Sequence, residues 1–228
     1  DIQRMQPVTR ERIALLIENH VQYTFMNIEQ IERFYSAFYP KWNKEAYYEL
    51  MRKLKVAPKQ KISRMSCGQR SQVALGLILA QNADLLVLDD FSIGLDPGYR
   101  RLFTEYLREY AKAEEKTIFL TSHIIQDMER LVDDCIIMDY GRILIQKPVK
   151  ELLDTFTRYT FKISSPDKLP HDPSLYSTAA IRDSAETYSF ENEEHIKQIL
   201  QEQSIPYTDF KSEKMNLEDV FIGLTGKY

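Results

Sequence analysis

Short apolar runs bounded by charge alternate along the chain with longer stretches in which apolar residues recur every three or four positions. "RIALLIE" (12–18), the run at 85–89 and "TIFLTSH" (117–123) have the first rhythm and predict buried strands. "NIEQIERFYSAFYPKW" and "KEAYYELMRKLKV" have the second and predict two helices rich in Phe, Tyr and Trp, with Pro40 between them. "SCGQRSQVALGLILAQ" (66–81) is apolar on more than one side, which predicts a largely buried third helix. "GYRRLFTEYLREYAKAEEK" sets Leu102, Phe103, Tyr106, Leu107 and Tyr110 on one helical face, and "IIQDMERLV" reads as another helix. "CIIMDYGRILIQ" predicts two strands joined by a turn at Tyr140–Gly141, followed by a short helix in "KPVKELLDTF". Strands alternating with helices predict an α/β fold, its mainly parallel sheet covered on both faces.

Past about residue 158 the rhythm weakens. "RYTFKI" and "AETYSFE" alternate like strands with one exposed face, "EEHIKQILQEQ" is an amphipathic helix, and "NLEDVFIGLTG" closes the chain. Pro166, Pro170 and Pro173 crowd the junction and predict a loop. The expected organisation is a main domain over residues 1–157 and a small α+β accessory domain over 158–228.

Composition narrows the function classes. The 228 residues suit one domain with a small appendage, and 43% hydrophobic content can bury a substantial core. Thirty basic against 34 acidic residues give a net charge of −4, so general nucleic-acid binding has no electrostatic support. Cys67 and Cys135 lie far apart without metal-ligand spacing, and reducing cytosol is the simplest compartment. No apolar run is long enough to cross a bilayer, and no segment reads as a signal peptide.

The stretch "LLVLDDFSIGLDP" (85–97) places two adjacent aspartates at the end of an apolar strand. In open α/β sheets ligands gather beyond the carboxyl ends of the strands, where Asp89, Asp90 and His123 are all expected. Taken singly, each has a plain structural reading, the aspartates as helix caps and His123 as a loop histidine. Upstream, Ser66 and Gln69 of "SCGQ" fit a capping box, each satisfying an orphan amide of the first helical turn. Capping does not explain Gly68, where glycine weakens a helix by roughly 1 kcal/mol relative to alanine. A helix start with small residues and free N–H groups is an anion site.

Together and in this order, "MSCGQRSQVALGLILA", "DLLVLDDFSIGLDP" and "TIFLTSHI" resemble the signature loop, the Walker B strand with D-loop, and the switch histidine of the ATP-binding subunits of ABC transporters. The resemblance spans roughly residues 10–157 and implies a P-loop NTPase-like (RecA-like) sheet with a helical subdomain at about 23–75. The aromatic segment, "GRILIQKPVKELL" and "NLEDVFIGLTG" look like bacterial exporter ATPases for drugs or peptides. The resemblance implies ATP and Mg²⁺ as ligands, with Asp89 holding the cation through water and Asp90 in the place of the general base. It implies that His123 contacts the γ-phosphate, that Asp96 crosses a dimer interface, and that Ser66, Gly68 and Gln69 contact ATP held by the opposite subunit. Glu18 takes the Q-loop position, where the family usually has Gln, with a role toward the metal. Implied partners are a transmembrane permease and a second ATPase subunit, in a homo- or heterodimer. The implied location is the cytoplasmic face of the cell membrane, reached only through the permease. Phe25, Phe34, Tyr35, Phe38, Tyr39, Trp42, Tyr47 and Tyr48 belong to the segment that would receive the permease's cytoplasmic loops, or simply to its core. A non-transport ABC protein and a non-catalytic regulatory subunit are the alternative functions.

Two departures stand out. No G-x-x-x-x-G-K-S/T phosphate loop occurs; at Gly226–Lys227, Phe221 replaces the first Gly and Tyr228 the Ser or Thr. With an opening of "DIQRMQPVTR", the expectation is that an N-terminal segment has been removed and that this chain binds nucleotide weakly or not at all. The second departure is Asp90, where the family commonly has Glu: a carboxylate one methylene shorter implies slow hydrolysis, as in the degenerate half of a heterodimer.

Overall fold

Between residues 12 and 123 the chain adopts the expected alternation of strands and helices. The computed structural model describes residues 2–17, 23–53, 55, 57–164 and 168–226, which fall into two compact units, Asp1–Asp127 and Met128–Tyr228. The first unit runs α1 (Pro7–Arg10), β1 (Ile13–Leu16), α2 (Ile28–Ser36), α3 (Lys44–Lys53), α4 (Cys67–Ala80), β2 (Leu85–Asp89), α5 (Pro97–Ala113), β3 (Thr117–Thr121) and α6 (Ile125–Met128). Helix α6 is shorter than "IIQDMERLV" suggested, because turns replace the helix after Met128.

Strands β1, β2 and β3 form a parallel sheet in that order. Ala14 pairs with Leu86 and Leu16 with Leu88, and all four are buried. The opposite face carries Leu15, Val87 and Phe119 in one row, with Leu15 53% and Phe119 54% exposed. Cover on both faces, the expectation from the apolar runs, is therefore not what the described residues show. A continuous apolar run reports that both faces are apolar and leaves open whether each is covered.

Local chemistry places the helices. Asn27 Oδ1 accepts from the Gln30 amide at 2.9 Å and Gln30 Oε1 from the Asn27 amide at 3.0 Å, a capping box that starts α2. Asp96 caps α5, Pro97 occupies its first turn, and Phe103, Leu107 and Tyr110 form its buried stripe. Helix α4 is buried from Gln72 to Ala80, in keeping with its many-sided apolar pattern.

The aromatic segment sorts into core and surface. Tyr47 is fully buried and donates to the Ile28 carbonyl at 3.0 Å. Glu32, only 5% exposed, accepts from Trp42 Nε1 at 2.9 Å and from the Tyr48 hydroxyl at 3.3 Å, so the buried carboxylate is satisfied by neutral donors. Burial, with the Glu32 charge second, pushes the Tyr48 phenol up to about 12 and keeps it a donor at neutral pH. Phe25 and Phe38 are 67% and 64% exposed; both stack edge-on against neighbouring rings, Phe25 on Tyr23 and Phe38 on Phe34.

The second unit holds β4 (Asp134–Asp139), β5 (Arg142–Pro148), α7 (Val149–Thr155), β6 (Thr157–Ile163), β7 (Tyr176–Ile181), β8 (Ser184–Ser189), α8 (Glu193–Glu202), β9 (Tyr207–Lys214) and α9 (Leu217–Thr225). Strands β4 and β5 pair antiparallel around Tyr140 and Gly141, both at positive φ (42° and 76°), as a tight hairpin turn requires. This hairpin and α7, grouped by sequence with residues 1–157, lie in the C-terminal compact unit. The remaining strands form an antiparallel sheet in the order β7-β8-β6-β9. "RYTFKI" and "AETYSFE" are thus its two central strands, and β7 and β9, which the sequence pattern did not reveal, are the edges. Phe161, Ile163, Ala185, Leu200 and Ile205 make the core between β6, β8 and α8. Among the described residues no helix is long and apolar enough to cross a membrane.

Helix α9 packs so closely that a Cβ on Gly223 would lie 2.6 Å from Tyr188 Cδ1 and 3.0 Å from Phe156 Cε1. Gly223→Ala gains about 1 kcal/mol of helix propensity, yet overpacking against two rings costs ~1–3 kcal/mol. Urea unfolding followed by tyrosine fluorescence is expected to show a lower midpoint for Gly223→Ala. A midpoint at or above that of the unchanged protein would contradict the contact.

Candidate functional site

Parallel pairing of β2 with β3 sets Asp89 directly opposite Thr121. The Thr121 hydroxyl donates to Asp89 Oδ1 at 2.5 Å. The next amide, that of Asp90, donates to the Thr121 carbonyl at 3.2 Å and to its hydroxyl oxygen at 3.1 Å. Asp90 itself has left the strand and stands at φ +47°, a left-handed conformation that Asp tolerates better than most residues. This kink carries its carboxylate to His123, whose Nδ1 lies 2.7 Å from Asp90 Oδ2.

The pair is asymmetric in exposure: the Asp90 side chain is 21% exposed and that of His123 62%. Asp90 Oδ1 is buried without a hydrogen-bond partner among the described residues, so the carboxylate has one oxygen on the imidazole and one unmatched acceptor. A neutral His123 donating from Nδ1 leaves Nε2 as an acceptor, whereas a protonated ring donates from both nitrogens. Such a site can orient a hydroxylic nucleophile and meet an anionic group. Among the described residues no three His, Cys, Asp or Glu side chains converge as a metal cage. A hard cation at Asp89 would therefore take most of its ligands from water and substrate oxygens, as Mg²⁺ commonly does.

The helix-start residues form a second group. Ser66 Oγ accepts from the Gln69 amide at 3.2 Å and Gln69 Oε1 from the Ser66 amide at 3.0 Å, so the capping box is complete. Gly68 has a packing reason absent from the sequence pattern: a Cβ there would stand 3.2 Å from the Gly94 carbonyl oxygen. Gly94, at φ +74°, would in turn bring a Cβ to 2.9 Å from Cys67 Sγ. The first turn of α4 is thus fitted against the loop that leaves β2. Asp96, at the end of that loop, accepts from the Gly98 and Tyr99 amides at 3.0 and 3.1 Å.

Of the residues singled out by sequence, Asp89, Asp90 and His123 meet at one point. Ser66, Gly68 and Gln69 share one turn, and Asp96 caps α5. No hydrogen bond joins that turn to the acidic pair among the described residues. Glu18 lies outside the described residues. Thr121 was missed; the available signal was a hydroxyl at the end of a strand two residues before the histidine.

Acidic and imidazole groups thus stand beyond the carboxyl ends of parallel strands, where open α/β sheets gather their ligands. A solved structure described as the ATP-binding subunit of an ABC transporter matches at a TM-score of 0.55 and 25% identity, covering 64% of this chain and 62% of that one. Two sequence relatives are the Nod factor export ATP-binding protein I of Ralstonia nicotianae, 30% identical over 73% of this chain, and the energy-coupling factor transporter ATP-binding protein EcfA2 of Staphylococcus aureus, 39% identical over 39% of it. The chain is homologous to ABC transporter ATP-binding subunits and has their α/β fold. It spans 54% and 31% of the lengths of these two relatives. No family model matches it.

The cysteines test the fitted turn. Cys67 is exposed and Cys135 half-buried; burial, then the Asp134 charge, raises the Cys135 thiol and lowers its thiolate fraction at any given pH. Timed labelling with a maleimide at pH 8, read by mass spectrometry, should modify Cys67 first. The opposite order would contradict the placement of Cys67 on the surface of the turn.

Proposed function

We propose that this chain is part of the ATP-hydrolysing subunit of a membrane exporter. The observation supporting this reading is the cluster of Asp89, Asp90 and His123 at the carboxyl ends of adjacent parallel strands, with one buried Asp90 oxygen unmatched. In this reading Asp89 holds Mg²⁺ through water, and the ion, when bound, neutralises charge on the phosphates. The unmatched Asp90 oxygen accepts from the attacking water, and His123, held by the other Asp90 oxygen, meets the γ-phosphate. Across a dimer, Ser66, Gly68 and Gln69 of one subunit face the nucleotide of the other, and Asp96 lies at the junction. The ATPase part takes residues 1–157 and the accessory part 158–228. The subunit acts at the cytoplasmic face of the membrane, held there by its permease.

The helical subdomain, at about residues 23–75, is the proposed receiver of the permease. The exposed rings of Phe25 and Phe38 favour this reading over core packing for those two residues, whereas Tyr47 belongs to the core. Phe25→Ser with Phe38→Ser is expected to reduce co-purification with the membrane subunit while the free energy of unfolding changes by no more than about 0.5 kcal/mol. Undiminished co-purification would remove these rings from the interface.

These 228 residues contain no phosphate loop, so calorimetric titration of the chain with ATP and Mg²⁺ is expected to show no micromolar binding. A micromolar dissociation constant would overturn that expectation. In the complete transporter with the partner's site disabled, Asp90→Glu is expected to raise turnover by about tenfold or more, since a displacement of about 1 Å is worth up to ~10²-fold. Unchanged turnover would remove the proposal that this subunit is the slow half of a heterodimer.

A further inference from the structure

We propose that Thr121 is a positioning residue for hydrolysis, its single hydroxyl fixing both aspartates at once; the inference rests on the ATPase reading above. The hydroxyl has one proton and spends it on Asp89 Oδ1 at 2.5 Å. Its oxygen then accepts from the Asp90 amide at 3.1 Å. One bond orients the carboxylate assigned to the cation, and the other orients the peptide from which the water-polarising carboxylate springs.

The second bond has a specific task. Asp90 sits at φ +47°, a conformation unfavourable for a non-glycine residue that persists only where its surroundings hold it. The Asp90 amide is shared between the Thr121 carbonyl, at 3.2 Å, and the Thr121 hydroxyl. The carbonyl bond is a backbone bond just beyond the last ladder pair, Asp89–Thr121, and would survive a change of side chain, whereas the hydroxyl bond would not. Without it, the kink that brings Asp90 Oδ2 to 2.7 Å from His123 loses one of its two backbone anchors, and Asp89 loses the donor that selects its rotamer. Valine has nearly the shape of threonine without the hydroxyl, so Thr121→Val removes both bonds and little packing. Serine keeps the hydroxyl and drops the methyl.

In the complete transporter with the partner's site disabled, Thr121→Val is expected to lower kcat by about tenfold or more, the range of a sub-ångström to 1 Å misplacement, with KM for ATP within about twofold. Thr121→Ser should recover kcat to within about threefold of the unchanged protein. In the 228-residue chain, hydrogen exchange read by NMR should show the Asp90 amide exchanging faster in Thr121→Val than in Thr121→Ser. Equal kcat for Thr121→Val and the unchanged protein, equal losses in the two variants, or a change confined to KM would each overturn the proposal. An unchanged transporter that binds ATP and turns over none would instead overturn the ATPase reading. The exchange measurement would then decide alone, with equal Asp90 exchange in both variants sinking the Thr121 bridge.

Discussion

The register of one parallel strand pair governs this molecule. With β2 and β3 paired so that Asp89 faces Thr121, the acidic dipeptide, a hydroxyl and the histidine two residues further on all emerge at the carboxyl end of the sheet. Because side chains alternate along a strand, a slip by one residue would turn Asp89 away from Thr121 and break the bridge. Ile118 and Leu120 of β3, half-buried beside the buried Leu86 and Leu88, resist such a slip, since it would turn these apolar side chains onto the exposed face. Core packing and site geometry are therefore one constraint: the side chains that hold the sheet also fix the cluster.

The same economy appears at the start of α4. Ser66 and Gln69 complete a capping box, and Gly68 and Gly94 let the helix start and the loop after β2 approach within van der Waals range. Capping and close packing account for Ser66, Gln69 and Gly68 without any ligand. The anion-binding role proposed for them adds to this internal role and does not replace it. A side chain at Gly68 would press on the Gly94 carbonyl oxygen.

Sequence pattern was most informative where a run was long and its period clear. The strand at 85–89 and the helices α4 and α5 were legible from apolar spacing, Asp96 and Pro97. The edge strands β7 and β9 were not: a mixed polar strand such as "YTDFKSEK" lacks a clean alternation, and its extended state comes from pairing with β6. The aromatic segment was legible as helical, but the division into buried Tyr47 and exposed Phe25 and Phe38 depends on what packs against each ring.

By itself the sequence determined the order of elements in the first unit and the residue types proposed to carry the chemistry, because period, caps and acidic strand ends are local properties of the chain. Tertiary structure decided that Asp90 kinks out of β2 onto His123, that Thr121 ties the two aspartates together, and that Gly68 answers to Gly94. Each of these joins residues more than twenty positions apart, and contact across such a span is set by register and packing rather than by any local pattern.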